Sequence, residues 1–145
     1  MIIQIAGVGT ENKGAELMFI AIKQHLAERD AKILLACDPG FGSYSERASY
    51  GLYSKLSTSR IGRSWLAVKL MPASFRLAYG LAGDRDIAAV FDASGFAFSD
   101  QFGPRRTERF AKDVMLWKKQ GKKVILLPQA LGPFETPREI GRAHV

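Results

Sequence analysis

Apolar residues along the chain fall into short runs of two different periods, separated by polar stretches rich in glycine. Ile2 to Val8 is a β-branched apolar run ending in Gly7-Val8-Gly9, the pattern of a buried strand. From Gly14 to about Arg29, apolar Leu17, Met18, Ala21, Ile22 and Leu26 recur at helical spacing, with Asn12 placed as an N-cap and Glu16 in the first turn. Lys32 to Cys37 predicts a second buried strand, stopped by Asp38-Pro39-Gly40. Phe41 to Arg60 is rich in Ser, Gly and Tyr without a clear period and reads as an irregular loop. Arg63 to Leu81 is mostly apolar but carries Lys69, Pro72 and Arg76, which argues against a membrane span and for two short helices broken near Pro72. Ile87 to Ala93 predicts a third strand and Val124 to Leu127 a fourth. Between them Pro104 to Gln120 reads as a helix, with Pro104 at its start and Gly121 just past its end.

Strands that are apolar throughout, alternating with helical segments, predict an α/β fold: a Rossmann-like parallel sheet with helices on both faces. No internal repeat or linker divides the chain. In this architecture ligands bind at the carboxyl tips of the strands, which directs attention to the loops Gly7 to Gly14, Ala93 to Gly103 and Pro128 to Phe134.

Composition narrows the partners. The chain has 145 residues, 47% of them hydrophobic and 24% charged, so a disordered or collagen-like chain is excluded. Its 21 Lys and Arg against 14 Asp and Glu give a net charge of +7, which suits phosphates, acidic sugars, nucleic acid or a membrane face without choosing among them. Nucleic acid is disfavoured, because aromatics are not interleaved with the basic cluster and no nucleic-acid-binding motif appears. The single Cys37 forbids an internal disulfide, and the amino-terminal run lacks a basic leader and ends too soon for a signal peptide, so a cytoplasmic location is expected. Arg105, Arg106 and Arg109 open the Pro104 helix against its dipole, which fits either contact with an anion or arginines solvated on an outer face. Lys118, Lys119, Lys122 and Lys123 flank the carboxyl end of that helix, where cations are favourable without a partner. The last residues, Ile140 to Val145, resemble the read-through of a common sequencing adapter under one choice of codons, the competing account being a helix start after Thr136-Pro137; a single domain over 1–138 followed by a non-native tail at 139–145 is expected.

The three loops carry candidate chemistry. The first, Gly7-Val8-Gly9-Thr10-Glu11-Asn12-Lys13-Gly14-Ala15-Glu16, lets a ligand approach the backbone and a helix amino terminus. It is no dinucleotide fingerprint, since its third glycine is wrongly spaced, and no P-loop, since Ala15-Glu16 replaces the Lys-Ser/Thr pair. Asp92-Ala93-Ser94-Gly95 puts small residues at a strand tip, with Asp92 and Asp100 suited either to sugar hydroxyls or to capping. Gln129, in Leu127-Pro128-Gln129-Ala130-Leu131-Gly132-Pro133-Phe134, offers an uncharged donor and acceptor. No nucleophile–base pair, metal-ligand cluster or closely paired carboxylates appear, and no cofactor is implied.

The order of these motifs is more specific than any one of them. Asn12-Lys13-Gly14-Ala15-Glu16, Asp92-Ala93-Ser94-Gly95 and Leu127 to Phe134 together resemble the polysaccharide pyruvyl transferase family, over Ile2 to Phe134. Ala15 stands where many members carry Asp, and Ser94 where most carry the first of two glycines; any acid role at position 15 is thereby lost. The resemblance implies a transferase that moves a pyruvyl group from phosphoenolpyruvate onto a sugar of a cell-surface polysaccharide as a ketal, a role compatible with peripheral proximity to a membrane. It also implies two Rossmann-type halves in a GT-B-like arrangement, with this chain as the amino-terminal, acceptor-side half, inactive alone. Substrate-binding residues are then expected at Asn12, Gly14, Ser94, Gly95 and Gln129. The catalytic residues are unassigned and expected in a carboxyl-terminal half, in keeping with His25 being the only histidine before the tail and lying mid-helix. Rival readings are half of a GT-B glycosyltransferase and a non-enzymatic Rossmann-like domain for a phosphorylated metabolite.

Overall fold

A computed structural model describes residues 1–9, 13–56, 70–95, 98, 103–128, 130 and 132. Asn12, Asp100, Gln129 and the tail 139–145 lie outside the described residues. In chain order the elements are β1 (Ile2–Ala6), α1 (Lys13–Arg29), β2 (Leu34–Cys37), α2 (Tyr44–Ser49), β3 (Leu52–Lys55), α3 (Ala73–Ala78), β4 (Leu81–Ala82), a 3₁₀ turn (Asp84–Asp86), β5 (Ile87–Asp92), α4 (Pro104–Lys119) and β6 (Lys123–Leu126).

The six strands form one sheet in the order β4-β3-β2-β1-β5-β6, and every neighbouring pair is parallel. Strand alternation then assigns each side chain to a face. Ile3 and Ile5 of β1 join Leu35, Cys37, Leu52 and Ala89 beneath Phe19 and Leu26 of α1. Ile2 and Ala6 join Ala36, Ala82, Ile87 and Val90 beneath Trp117 of α4, with Leu77 of α3 packed alongside. Helices thus cover both faces, as the apolar strands require, and the α/β class expected from the periodicity is the one observed.

One segment departs from the expectation. Phe41 to Arg60 is not a structureless loop: it holds α2 and β3. Ser43 caps α2 by accepting from the Glu46 N–H, and the Glu46 carboxylate accepts from the Ser43 N–H, a reciprocal capping box. The aperiodicity of β3 has a tertiary cause. Ser54 occupies a buried position because the Arg47 guanidinium of α2 donates to its hydroxyl at 2.8 Å. Farther on, one helix (α3) follows Pro72 and the chain then enters the short edge strand β4; residues 57–69 lie outside the described set.

Cys37 is fully buried, and that burial pushes its thiol up to about 12, with the Arg47 charge opposing only in part. The thiol is therefore expected to resist alkylation at pH 8 until denaturant is added. Rapid labelling of the native protein would contradict this.

Candidate active site

Sheet order locates the site before any side chain is considered. From β1 the chain moves outward through β2, β3 and β4, then returns to place β5 on the other side of β1. Parallel sheets open a ligand crevice at such a reversal, outside the carboxyl ends of the two strands. Ala6 and Asp92 are register partners at that end.

The close approach there depends on Gly7. Its φ of +76° is a conformation side chains rarely adopt, and a Cβ would lie 2.5 Å from the Ser94 Cβ and 2.7 Å from its backbone nitrogen. The first and second loops therefore meet at Gly7 and Ser94. The third joins them, with the Ala130 N–H donating to the Gly95 carbonyl at 2.7 Å and the Gly132 N–H to that of Phe98 at 2.9 Å. Gly95 also has a positive φ, +68°, but its missing side chain would meet Met18 of α1 at 2.9 Å, so packing accounts for this glycine. Gly14 is helical and exposed in the first turn of α1, without a positive φ.

On the α4 face the crevice widens into a cleft of about 520 Å³. One face of α4 forms a wall: Arg106, Arg109, Phe110, Asp113, Leu116 and Trp117 follow helical spacing. Asp92 and Ser94 line the cleft at the tip of β5, Asp38 follows β2, and Lys55 ends β3. Strand register brings Asp38, Lys55 and Asp92 onto one face at one level, although they are far apart in sequence.

Asp92 is the most constrained of these groups. It is 2% exposed, and the Ser94 hydroxyl donates to its Oδ2 at 2.7 Å. Burial raises its carboxyl above the usual carboxylate range, while hydrogen bonds from the Ser94 side chain and backbone and the charge of Arg106 pull the other way. The sign of the linkage follows. Across the window from the ordinary value to the raised one, the folded protein holds the extra proton, so this group's contribution to stability falls as pH rises through that window. Asp92→Asn is therefore expected to raise the urea midpoint at pH 8 and leave it nearly unchanged at pH 3. Equal destabilisation at both would contradict this.

Next to it, fully buried Gln4 donates from Nε2 to Asp38 Oδ2 at 3.2 Å, while its Oε1 has no hydrogen-bond partner among the described residues. At the far end Asp84 lies 3.4 Å from Lys55 and 3.6 Å from Lys122, and the Lys55 ammonium sits 5.8 Å from the Trp117 ring centroid. Burial lowers the pKa of Lys122, with Asp84 opposing. Carboxylates accept from hydroxyls, cations donate to them, and Phe110 and Trp117 add apolar faces; this mixture suits a polyhydroxylated ligand. Among the described residues no group of acidic, His or Cys side chains is arranged to hold a metal ion, and no helix is long and apolar enough to cross a membrane.

Of the residues expected from sequence, Ser94 lines this cleft, Gly95 adjoins it, and Gly14 lies in the first turn of α1. Arg106 and Arg109, for which a solvated face was the competing account, line the cleft while remaining exposed. The sequence pattern did not single out Gln4, Lys55, Asp84 or Asp113. Gln4 did carry a signal, as the one polar residue inside the apolar run Ile2–Ala6.

An all-parallel α/β domain with a polar cleft at its switch point is a ligand-binding architecture. A family model for polysaccharide pyruvyl transferases matches residues 12–144, and the chain belongs to that family. No curated relative and no solved structure matches it.

Proposed function

We propose that the protein transfers a pyruvyl group from phosphoenolpyruvate to a sugar of a cell-surface polysaccharide, forming a ketal, and that the α4 cleft holds the saccharide acceptor. Family membership supports the transferase class. The observation that carries the acceptor assignment is the cleft itself, which gathers the carboxylates of Asp38, Asp92 and Asp113, the cations Lys55, Arg106 and Arg109, and the rings of Phe110 and Trp117 around one space. Sugar hydroxyls each need a donor and an acceptor, and this lining supplies both. In this reading Asn12, Gly14, Ser94, Gly95 and Gln129 border the acceptor. The donor's anionic groups are held chiefly by a carboxyl-terminal half in a GT-B-like arrangement, so the 145-residue chain by itself turns over little or nothing. The reaction takes place in the cytoplasm, close to the membrane where the polysaccharide is assembled.

The test incubates the intact enzyme and the 145-residue chain in parallel with phosphoenolpyruvate and a panel of saccharides. Phosphate release with a new ketal methyl signal in the proton spectrum is the expected result for the intact enzyme. Release of nucleotide from a sugar nucleotide, without ketal, would replace this reading with glycosyl transfer.

A further inference from the structure

We propose that Asp92 is the proton acceptor for an acceptor hydroxyl bound in the cleft, with Ser94 holding its carboxylate in place. The inference deepens the pyruvyl-transfer reading and rests on it. Four observations on the molecule lead to Asp92. It stands at the carboxyl end of β5, at the reversal of strand order, where a ligand can approach from outside the sheet. Its side chain lines the cleft although the residue is only 2% exposed, so a bound hydroxyl would meet it largely shielded from bulk water. The Ser94 hydroxyl fixes one carboxylate oxygen at 2.7 Å, and Gly7 in turn fixes Ser94 by backbone contact. Finally, the charged groups around the cleft are arranged asymmetrically. From α4 come Arg106, Arg109 and Asp113, from the end of β2 comes Asp38, itself engaged by Gln4, and from the end of β3 and the 3₁₀ turn come the paired Lys55 and Asp84. Arg106 acts directly on Asp92, which keeps the carboxylate accessible near neutral pH while burial makes it a better base.

Ketal formation breaks two O–H bonds of the saccharide and forms two C–O bonds at the enol carbon of phosphoenolpyruvate. One of the two protons ends on the methylene, which becomes a methyl group, and the other departs with the phosphate as the C–O bond to phosphate breaks. Asp92 takes one hydroxyl proton as its oxygen attacks, and passes it to the departing phosphate. No oxidant, reductant or metal enters the balance.

The experiment compares Asp92→Asn and Ser94→Ala with the parent in the intact enzyme, measuring kcat, acceptor Kd and the pH dependence of kcat. Asp92→Asn is expected to lower kcat by about a hundredfold to ten-thousandfold, with acceptor Kd changed less than about threefold and the acidic limb of the profile abolished. Ser94→Ala is expected to move that limb to higher pH, since the hydrogen bonds that favour the charged carboxylate are weakened. A purely structural role predicts loss of stability and parallel loss of affinity and rate; either that pattern or an Asp92→Asn variant retaining a third of parental kcat overturns the proposal. If the parent makes no ketal at all, the pyruvyl-transfer reading fails, and with it the assignment of Asp92 as a base in that reaction. Titration of the Asp92 carboxyl by carbon-13 NMR separates the two failures. A value at or below the ordinary range removes the basis of the proposal even where ketal forms.

Discussion

Arg47→Ala is expected to lower the unfolding free energy by about 3 kcal/mol or more, enough to lower the urea midpoint visibly at any pH. Arg47 is a buried charge, and four neutral oxygens accept from its guanidinium. It donates to the Ser54 hydroxyl and to the carbonyls of Pro39, Phe41 and Gly42. These partners belong to β3 and to the turn after β2, so one side chain joins β2, α2 and β3. Removing it leaves three carbonyls and a buried hydroxyl short of donors, each costing about 1–3 kcal/mol if water cannot reach it. Arg47→Lys keeps the charge but not the fork of donors and should fall between parent and alanine variant. A loss under about 1 kcal/mol for Arg47→Ala would show that the turn finds other donors.

Gly7→Val should be about as costly, and for a different reason. At φ +76° a β-branched residue carries strain of about 1–3 kcal/mol. The Cβ would also be driven to 2.7 Å from the Ser94 Cα and nitrogen, which are backbone atoms that no rotamer change can move. Overpacking of this kind adds about 1–3 kcal/mol. The chain can relieve it only by parting β1 from the β5 tip, which pulls the Ser94 hydroxyl away from Asp92. Gly9→Ala is the matched control, because among the described residues nothing lies within 4 Å of the position its Cβ would take. Urea unfolding of the two variants should separate them by several kcal/mol. Equal stabilities would mean that the Gly7–Ser94 contact imposes no constraint.

The proposed role of the buried acid at the strand tip joins function to stability. Asp92→Asn is expected to stabilise the fold above neutral pH while removing turnover, and a residue kept for packing would not show that combination. Nothing in Asp92-Ala93-Ser94-Gly95 as a string distinguishes a capping Asp from a buried base. Its 2% exposure depends on how closely β1 and β5 pack, and the strand-tip pattern carries no information about that.

Legibility followed the range of the interactions involved. β1, β2, β5, α1 and α4 were readable because each is specified by its own residues: β-branched runs, apolar positions at helical spacing, Pro104 at a start and Gly121 past an end. The three strand-tip loops could be located for the same reason, since Gly-rich turns follow buried strands. The α2–β3 segment was lost for opposite reasons at its two ends. Ser43 and Glu46 spell a capping box that sequence alone could have revealed. Ser54, by contrast, breaks the alternation of β3 because its partner is a guanidinium seven residues away on a different element.

What the sequence by itself determined is therefore the class of fold, the parallel sense of the sheet and the edge on which the cleft opens, all consequences of local hydrophobic period and chain punctuation. Only the tertiary structure decided which side chains face one another there. Gln4, Asp38, Lys55 and Asp92 belong to four adjacent strand positions that are distant along the chain, and a shift of one residue in register would turn any of them to the α1 face. Strand order and register are set by the packing of α1 and α4 on opposite sides of the sheet, a property of the whole chain that no single motif encodes.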